Sequence, residues 1–143
     1  MTRIDFHLLS SDALQARLDY ACRLAHKAWG KGHQVYIHCA DSTQVDNIDA
    51  LLWSFKADAF LPHAQHSEQP GEAVVCGAGD DPTPHHDLLF NLANSTPSFF
   101  SRFTRLAEII VEHDDVRVPA RERFRFYRDR GYPLKSHQIR TAG

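Results

Sequence analysis

Arginines set at helical spacing near the end of the chain are the residues best suited to chemistry. At 100° per residue, Arg121, Arg125 and Arg128 fall within about 60° of arc on one helix. Arg117 extends the stripe if the helix starts early enough, and Pro119 bears on where it starts. Ala120, Phe124 and Tyr127 form an apolar stripe beside it. Guanidinium groups offer planar, bidentate donors to carboxylates, and a neighbouring aromatic ring can wall an apolar pocket. The pairing suits an acidic peptide that ends in an apolar group. The competing reading is a solvated helix face whose aromatic residues are core.

Charge distribution favours the first reading. Net charge over the 143 residues is only −2, but it is unevenly placed. Residues 1–116 carry 8 Lys and Arg against 16 Asp and Glu; residues 117–143 carry 8 against 2. A segment of net +6 on a body of net −8 points to an acidic partner met at the C-terminal end. A general nucleic-acid binder would be basic throughout, which argues against direct single-strand DNA binding by the arginine helix as the main role.

A second cluster is apolar. Leu51-Leu52-Trp53-Ser54-Phe55 and Ala59-Phe60-Leu61-Pro62-His63 crowd aromatic residues just after a helical segment. They are either core or an exposed anchor patch for a partner chain, and spacing does not separate the two.

Other chemistry is less well supplied. Ten histidines invite a metal, and Asp80-Asp81-Pro82-Thr83-Pro84-His85-His86-Asp87 mixes possible ligands. A small metal-dependent α/β hydrolase using Asp80, Asp81, His85 and His86 is the alternative function. Adjacent histidines rarely converge on one ion, however, and no HExxH helix accompanies them. No GxxxxGK[ST] or GxSxG stands in the chain, Gly30-Lys31-Gly32 lies at a helix end, and Cys39 has no evident base. The expectation is a binding protein without catalytic residues, metal or cofactor.

The elements needed to position these residues are an α/β set. Residues 3–9 read as a strand, with Ile4, Phe6, Leu8 and Leu9 apolar. Ser10-Ser11-Asp12 offers an N-cap for a helix carrying Leu14, Leu18, Ala21, Ala25 and Ala28, which Gly30 and Gly32 stop. Residues 34–39 form a second strand. Asp41-Ser42 caps a second helix through Val45, Ile48, Leu51 and Leu52 that ends near Trp53. Residues 72–76, 88–93 and 106–111 read as further strands, with 62–71 and 77–87 as loops. The last helix runs from about 116–119 to Arg130 and is capped by Gly131. Strands alternating with helices predict a single Rossmann-like domain over residues 1–143: three layers, a mainly parallel central sheet, helices on both faces and no nucleotide-binding loop.

No apolar run approaches the ~18 residues that span a bilayer, and the first residues lack a signal-peptide core. Cys22, Cys39 and Cys76 form no CxxC. A cytoplasmic protein with reduced thiols is the expectation.

The ordered motifs Ile4-Asp5-Phe6-His7-Leu8-Leu9, residues 32–40, Leu52-Trp53-Ser54-Phe55, Phe60-Leu61-Pro62-His63, Glu108-Ile109-Ile110-Val111 and Ala120-Arg121-Glu122-Arg123-Phe124-Arg125-Phe126-Tyr127-Arg128-Asp129-Arg130-Gly131-Tyr132 together resemble the chi subunit family of bacterial DNA polymerase III. The resemblance spans almost the whole chain and is weakest over residues 64–87. It implies a non-catalytic α/β accessory subunit of the clamp-loader complex. It implies two partners: the psi subunit, and the acidic C-terminal tail of single-stranded DNA-binding protein (SSB), which ends in Pro-Phe. Through them the replisome would be tethered to SSB-coated template. By the same resemblance Arg121 takes the tail's terminal carboxylate, and Arg117 and Arg125 meet its aspartates. Phe124 walls the pocket where some relatives have Tyr, and Arg128 continues the ridge. Trp53, Phe55, Phe60 and Pro62 correspond to the psi-facing patch.

Overall fold

A computed structural model describes residues 1–54 and 60–140. Phe55, one of the four patch residues, lies outside the described residues. The elements in order are β1 (Arg3–Leu9), α1 (Leu14–Gly30), β2 (Val35–His38), α2 (Ser42–Ser54), β3 (His63–Gln65), β4 (Val74–Gly77), β5 (Leu88–Asn91), β6 (Arg105–Ile110), α3 (Asp114–Asp129) and β7 (Leu134–Ile139). The strands form one sheet in the order β3-β4-β2-β5-β6-β1-β7. Every pairing is parallel, so the expected mainly parallel sheet is wholly so.

Parallel strands need covered faces, and the sequence provides two kinds of cover. The connection from β1 through α1 to β2 runs one way along the sheet; that from β6 through α3 to β7 runs the other. Crossovers of one hand then place α1 and α3 on opposite faces. Adjacent residues of β1 show it: Phe6 packs on Phe124 and Tyr127 of α3, while His7 meets Tyr20 of α1. α2 packs beside α1. The core is Ile4, Leu9, Tyr36, Ile37, Ile48, Leu89, Leu106 and Ile109 with their neighbours, all buried.

Several local expectations need correction. Ser10-Ser11-Asp12 does not cap α1: Ala13 holds the cap position without a side-chain bond, and Ser11 Oγ accepts from the Ala13 N–H at 3.1 Å. α3 starts at Asp114, before Pro119 rather than near it. His113 Nδ1 accepts from the Asp115 N–H, and Asp114 and Asp115 suit the positive end of the helix dipole, so the start is fixed upstream of the proline. The stretch 62–71, read as loop, contains the short strand β3. β7 was not foreseen at all. Its six residues, Leu134–Ile139, are mostly polar because it is the outermost strand, joined to β1 by main-chain bonds and half open to water. Asp41 does cap α2, accepting from the Gln44 N–H at 2.9 Å, and Gly131 takes φ 81°, as a C-terminal glycine should. The three cysteines are free and buried, and burial pushes Cys22 and Cys76 up to about 12.

On the α1 face of β1, Asp5 accepts from Arg105 Nε at 2.6 Å and from His137 Nε2 at 2.8 Å. Burial alone would raise the Asp5 carboxyl; these two donors bring it below its usual value. Next to it, burial and the charge of His137 hold His7 down at about 4, from the ordinary 6.5. The unfolded chain therefore binds this proton first. The contribution of His7 is complete above about pH 6.5 and declines as the pH falls towards 4, by at most about 3 kcal/mol. Urea unfolding at pH 7 and pH 5 should show the lower stability at pH 5. His7→Gln should flatten that slope; an unchanged slope would assign it to the other buried histidines.

Candidate functional site

At the carboxyl ends of β1 and β6 the chain leaves the sheet towards opposite faces, β1 into α1 and β6 into α3. Such a reversal opens a crevice, the usual place for a site in an open parallel sheet. A cleft of about 380 Å³ lies there, between α3 and the strands β1, β6 and β7. Its floor is apolar: Phe6, Leu8 and Leu9 of β1, with Ile110 at the end of β6 and Val111 after it. Phe124 forms the α3 wall, edge-on to Phe6 with ring centres 5.2 Å apart.

Two guanidinium groups stand at the rim, Arg117 and Arg121. Arg117 is half-buried and bonds Asp114 Oδ1 through NH2 at 2.5 Å, while its buried Nε–H has no hydrogen-bond partner among the described residues. Arg121 is exposed and makes no ion pair or hydrogen bond among the described residues. A free, bidentate cation beside an apolar hollow can take a carboxylate whose attached group enters the hollow. Among the described residues Glu112 is the one acidic residue in the lining.

Of the five residues proposed from sequence for this surface, Arg117, Arg121 and Phe124 meet in the cleft. Arg125 and Arg128 do not line it. They are exposed and pair with Glu122 at 2.8 Å and Asp129 at 3.2 Å. Ser136 and Gln138 of β7 form the remaining wall, and sequence reasoning missed them with their strand. No sequence signal marked them: with Lys135 and His137 they form a polar run that reads as loop as readily as strand.

What aims the rim arginines is a buried polar network. Glu108 of β6 is wholly buried and accepts from Arg123 Nε and NH2, both at 3.0 Å, from Tyr127 Oη at 2.8 Å and from Asn91 Nδ2 at 3.1 Å. Burial first, and then the Glu108 carboxylate, raise the Tyr127 hydroxyl above its ordinary value, so it stays a donor. Arg123 and Tyr127 thus fix the rotation of α3, and Arg121, about 160° away around the helix, must point outwards. On the other face, buried Arg17 of α1 donates from Nε to the Ile109 carbonyl at 2.7 Å and ties that helix to the same strand.

The aromatic cluster is divided. Trp53 and Phe60 are 67% and 75% exposed, which decides against a core role for either. Leu61 between them and β3 is buried, and Pro62 is half-buried. Trp53 stands on the last turn of α2 with its ring edge-on to His63, centres 4.6 Å apart. Exposed aromatic residues of this size are anchors for a partner more often than surface decoration.

Asp80, Asp81, His85 and His86 do not assemble. His85 is buried and its Nε2–H donates to the Glu72 carbonyl at 2.8 Å; His86 and both aspartates are exposed, and Asp81 accepts from Thr83. Among the described residues no three metal-ligating side chains come together.

The family model for DNA polymerase III chi subunit, HolC, matches residues 1–135. The chain belongs to the DNA polymerase III chi subunit family. A Pseudomonas aeruginosa protein named DNA polymerase III subunit chi is 48% identical over 139 residues, covering 97% of this chain and 98% of the relative. Proteins of the same name from Escherichia coli and Haemophilus influenzae are 32% and 28% identical, each over at least 94% of this chain. The family match takes in Arg117, Arg121 and Phe124 of the cleft and Trp53 and Phe60 of the exposed patch of this chi-family chain, and stops short of Ser136 and Gln138. Among the described residues no helix is long and apolar enough to cross a membrane.

Proposed function

We propose that this chi-family chain is a non-catalytic accessory subunit of DNA polymerase III. It carries two docking surfaces: the α3 cleft for the acidic C-terminal tail of SSB, and the Trp53 and Phe60 patch for the psi subunit of the clamp-loader complex. It tethers the replisome to SSB-coated template. The observation that carries the reading is Arg121, a cation without a partner among the described residues at the rim of an apolar cleft. The basic segment of net +6 around it steers an acidic tail at long range. The tail's terminal Phe fills the apolar floor while its carboxylate pairs with Arg121. SSB is oligomeric and offers several tails, so modest affinity for each suffices.

A fluorescent peptide carrying that acidic tail, titrated at two salt concentrations beside the same peptide without its Phe, tests the reading. Micromolar binding that salt weakens and that needs the Phe is expected. Equal binding of both peptides, or none, would sink it. Glu112 opposes an acidic ligand at the cleft, so Glu112→Gln should tighten the tail about two- to threefold, in keeping with the ~0.2–1 kcal/mol of an exposed charge pair.

The patch reading has its own test. A fully desolvated aromatic anchor contributes about 2 kcal/mol or more to an interface. Trp53→Ala or Phe60→Ala should therefore weaken association with psi at least tenfold in a pull-down or titration, with tail binding unchanged. Unaltered psi binding by both variants would remove the patch from the proposal.

A further inference from the structure

The face of the sheet opposite the α3 cleft carries a second cleft, also about 380 Å³. It begins at the C-terminal half of α1 and crosses β5, β6 and β1 to His137 of β7. Four neighbouring strands at about 4.8 Å spacing make it roughly 14 Å long. β7 is the last strand, so nothing in the sheet closes that end. The floor is apolar, built from Leu24, Leu88, Phe90 and Ala107.

Its charges are unbalanced. Both acids in the lining are already engaged: Asp5 by Arg105 and His137, and Asp87 by the Gln34 N–H at 3.0 Å and His33 Nδ1 at 3.1 Å. Arg3, Lys27 and Lys31 line the same cleft, are exposed, and have no side-chain partner among the described residues. The dipole at the end of α1 accounts for the two lysines. It does not account for Arg3, which stands in register beside Arg105 on the neighbouring strand, where like charges repel. A surplus of cations around an apolar floor on a chain of net charge −2 marks a binding surface for an anion.

We infer that this α1-face cleft is a second docking site, for an extended acidic protein segment. An extended chain advances about 3.3 Å per residue, so the groove takes about four residues. Acidic side chains would meet Arg3, Lys27 and Lys31, and apolar ones between them would meet Leu24 and Leu88. Single-stranded nucleic acid is the lesser fit, because base stacking needs exposed aromatic faces. Among the described residues the one phenyl ring in the lining, Phe90, is buried.

The probe is a fluorescent ten-residue peptide of alternating Asp and Leu with an amidated end. It lacks the terminal carboxylate and Phe that the α3 cleft requires, so its behaviour is independent of the tail reading. Micromolar binding is expected. Arg3→Glu with Lys31→Glu should weaken it at least tenfold, and Arg121→Ala should change it less than twofold. Lys27→Gln with Lys31→Gln, which removes charge without reversing it, should weaken it about fivefold and decides the matter if the reversal variant folds poorly. Absence of binding, or binding that Arg121→Ala alone abolishes, would overturn the inference. So would tighter, Lys31-dependent binding of a thymidine oligonucleotide, which would make the face a nucleic-acid surface.

Discussion

Glu108→Ala should destabilise the fold by about 3–5 kcal/mol, the range for removing one partner of a buried ion pair. Glu108 is wholly buried and serves three donor residues, Arg123, Tyr127 and Asn91. Its loss strands a guanidinium that is itself 3% exposed and whose NH1 already lacks a hydrogen-bond partner among the described residues. A domain of ordinary stability holds about 5–15 kcal/mol, so from about a fifth to the whole of it would disappear. Urea unfolding should show a lower midpoint with little change in slope. Glu108→Gln keeps the shape and one acceptor oxygen but still leaves Arg123 uncompensated, so it should fall between the two.

The double variant Glu108→Leu with Arg123→Met separates stability from orientation. Replacing both charges by apolar groups of similar size is often neutral or stabilising. It should recover most of the loss. Its α3, however, would lack the bidentate contact that fixes helix rotation, and tail affinity should stay below that of the parent. Full recovery of both stability and affinity would show that apolar packing alone aims Arg121.

The legible part of this fold was the part written in apolar residues. β2 and β6 show as short, mostly apolar runs, β1 as Ile4, Phe6 and Leu8 alternating with Asp5 and His7, and α1 and α2 as stripes of Leu, Ala, Val and Ile. β3 and β7 were not legible because they close the two edges of the sheet. An edge strand is held by main-chain bonds, and Lys135, Ser136, His137 and Gln138 carry no apolar alternation to betray it. The site divided along the same line. Helical spacing grouped Arg121 with Arg125 and Arg128 on one stripe in advance. That Arg123 is buried against Glu108, and that Arg125 and Arg128 lie outside the cleft, depends on contacts from β6 and on where the cleft ends. Composition could not decide whether Trp53 is core or surface either; its neighbours had to be placed first.

Arg121→Ala should weaken the SSB tail about ten- to a hundredfold, the equivalent of the roughly 1.5–3 kcal/mol carried by a charge-assisted hydrogen bond. The free side chain is exposed, and an exposed ion pair alone would supply only ~0.2–1 kcal/mol. The larger figure requires the tail's own aromatic ring to cover the pair and exclude water. Arg121 and the ring should therefore be coupled: removing the Phe from the peptide should erase most of the effect of the substitution in a double-mutant cycle. Arg121→Lys keeps the charge and loses the planar fork, so it should fall between alanine and the parent. Arg125 is already paired with Glu122 and lies outside the lining, so Arg125→Ala should weaken the tail only about twofold, an effect that vanishes at high salt. Equal losses at Arg121 and Arg125, both erased by salt, would mean that the tail is held by diffuse attraction to the basic segment. In that case the cleft beside α3 would have no part in reading its end.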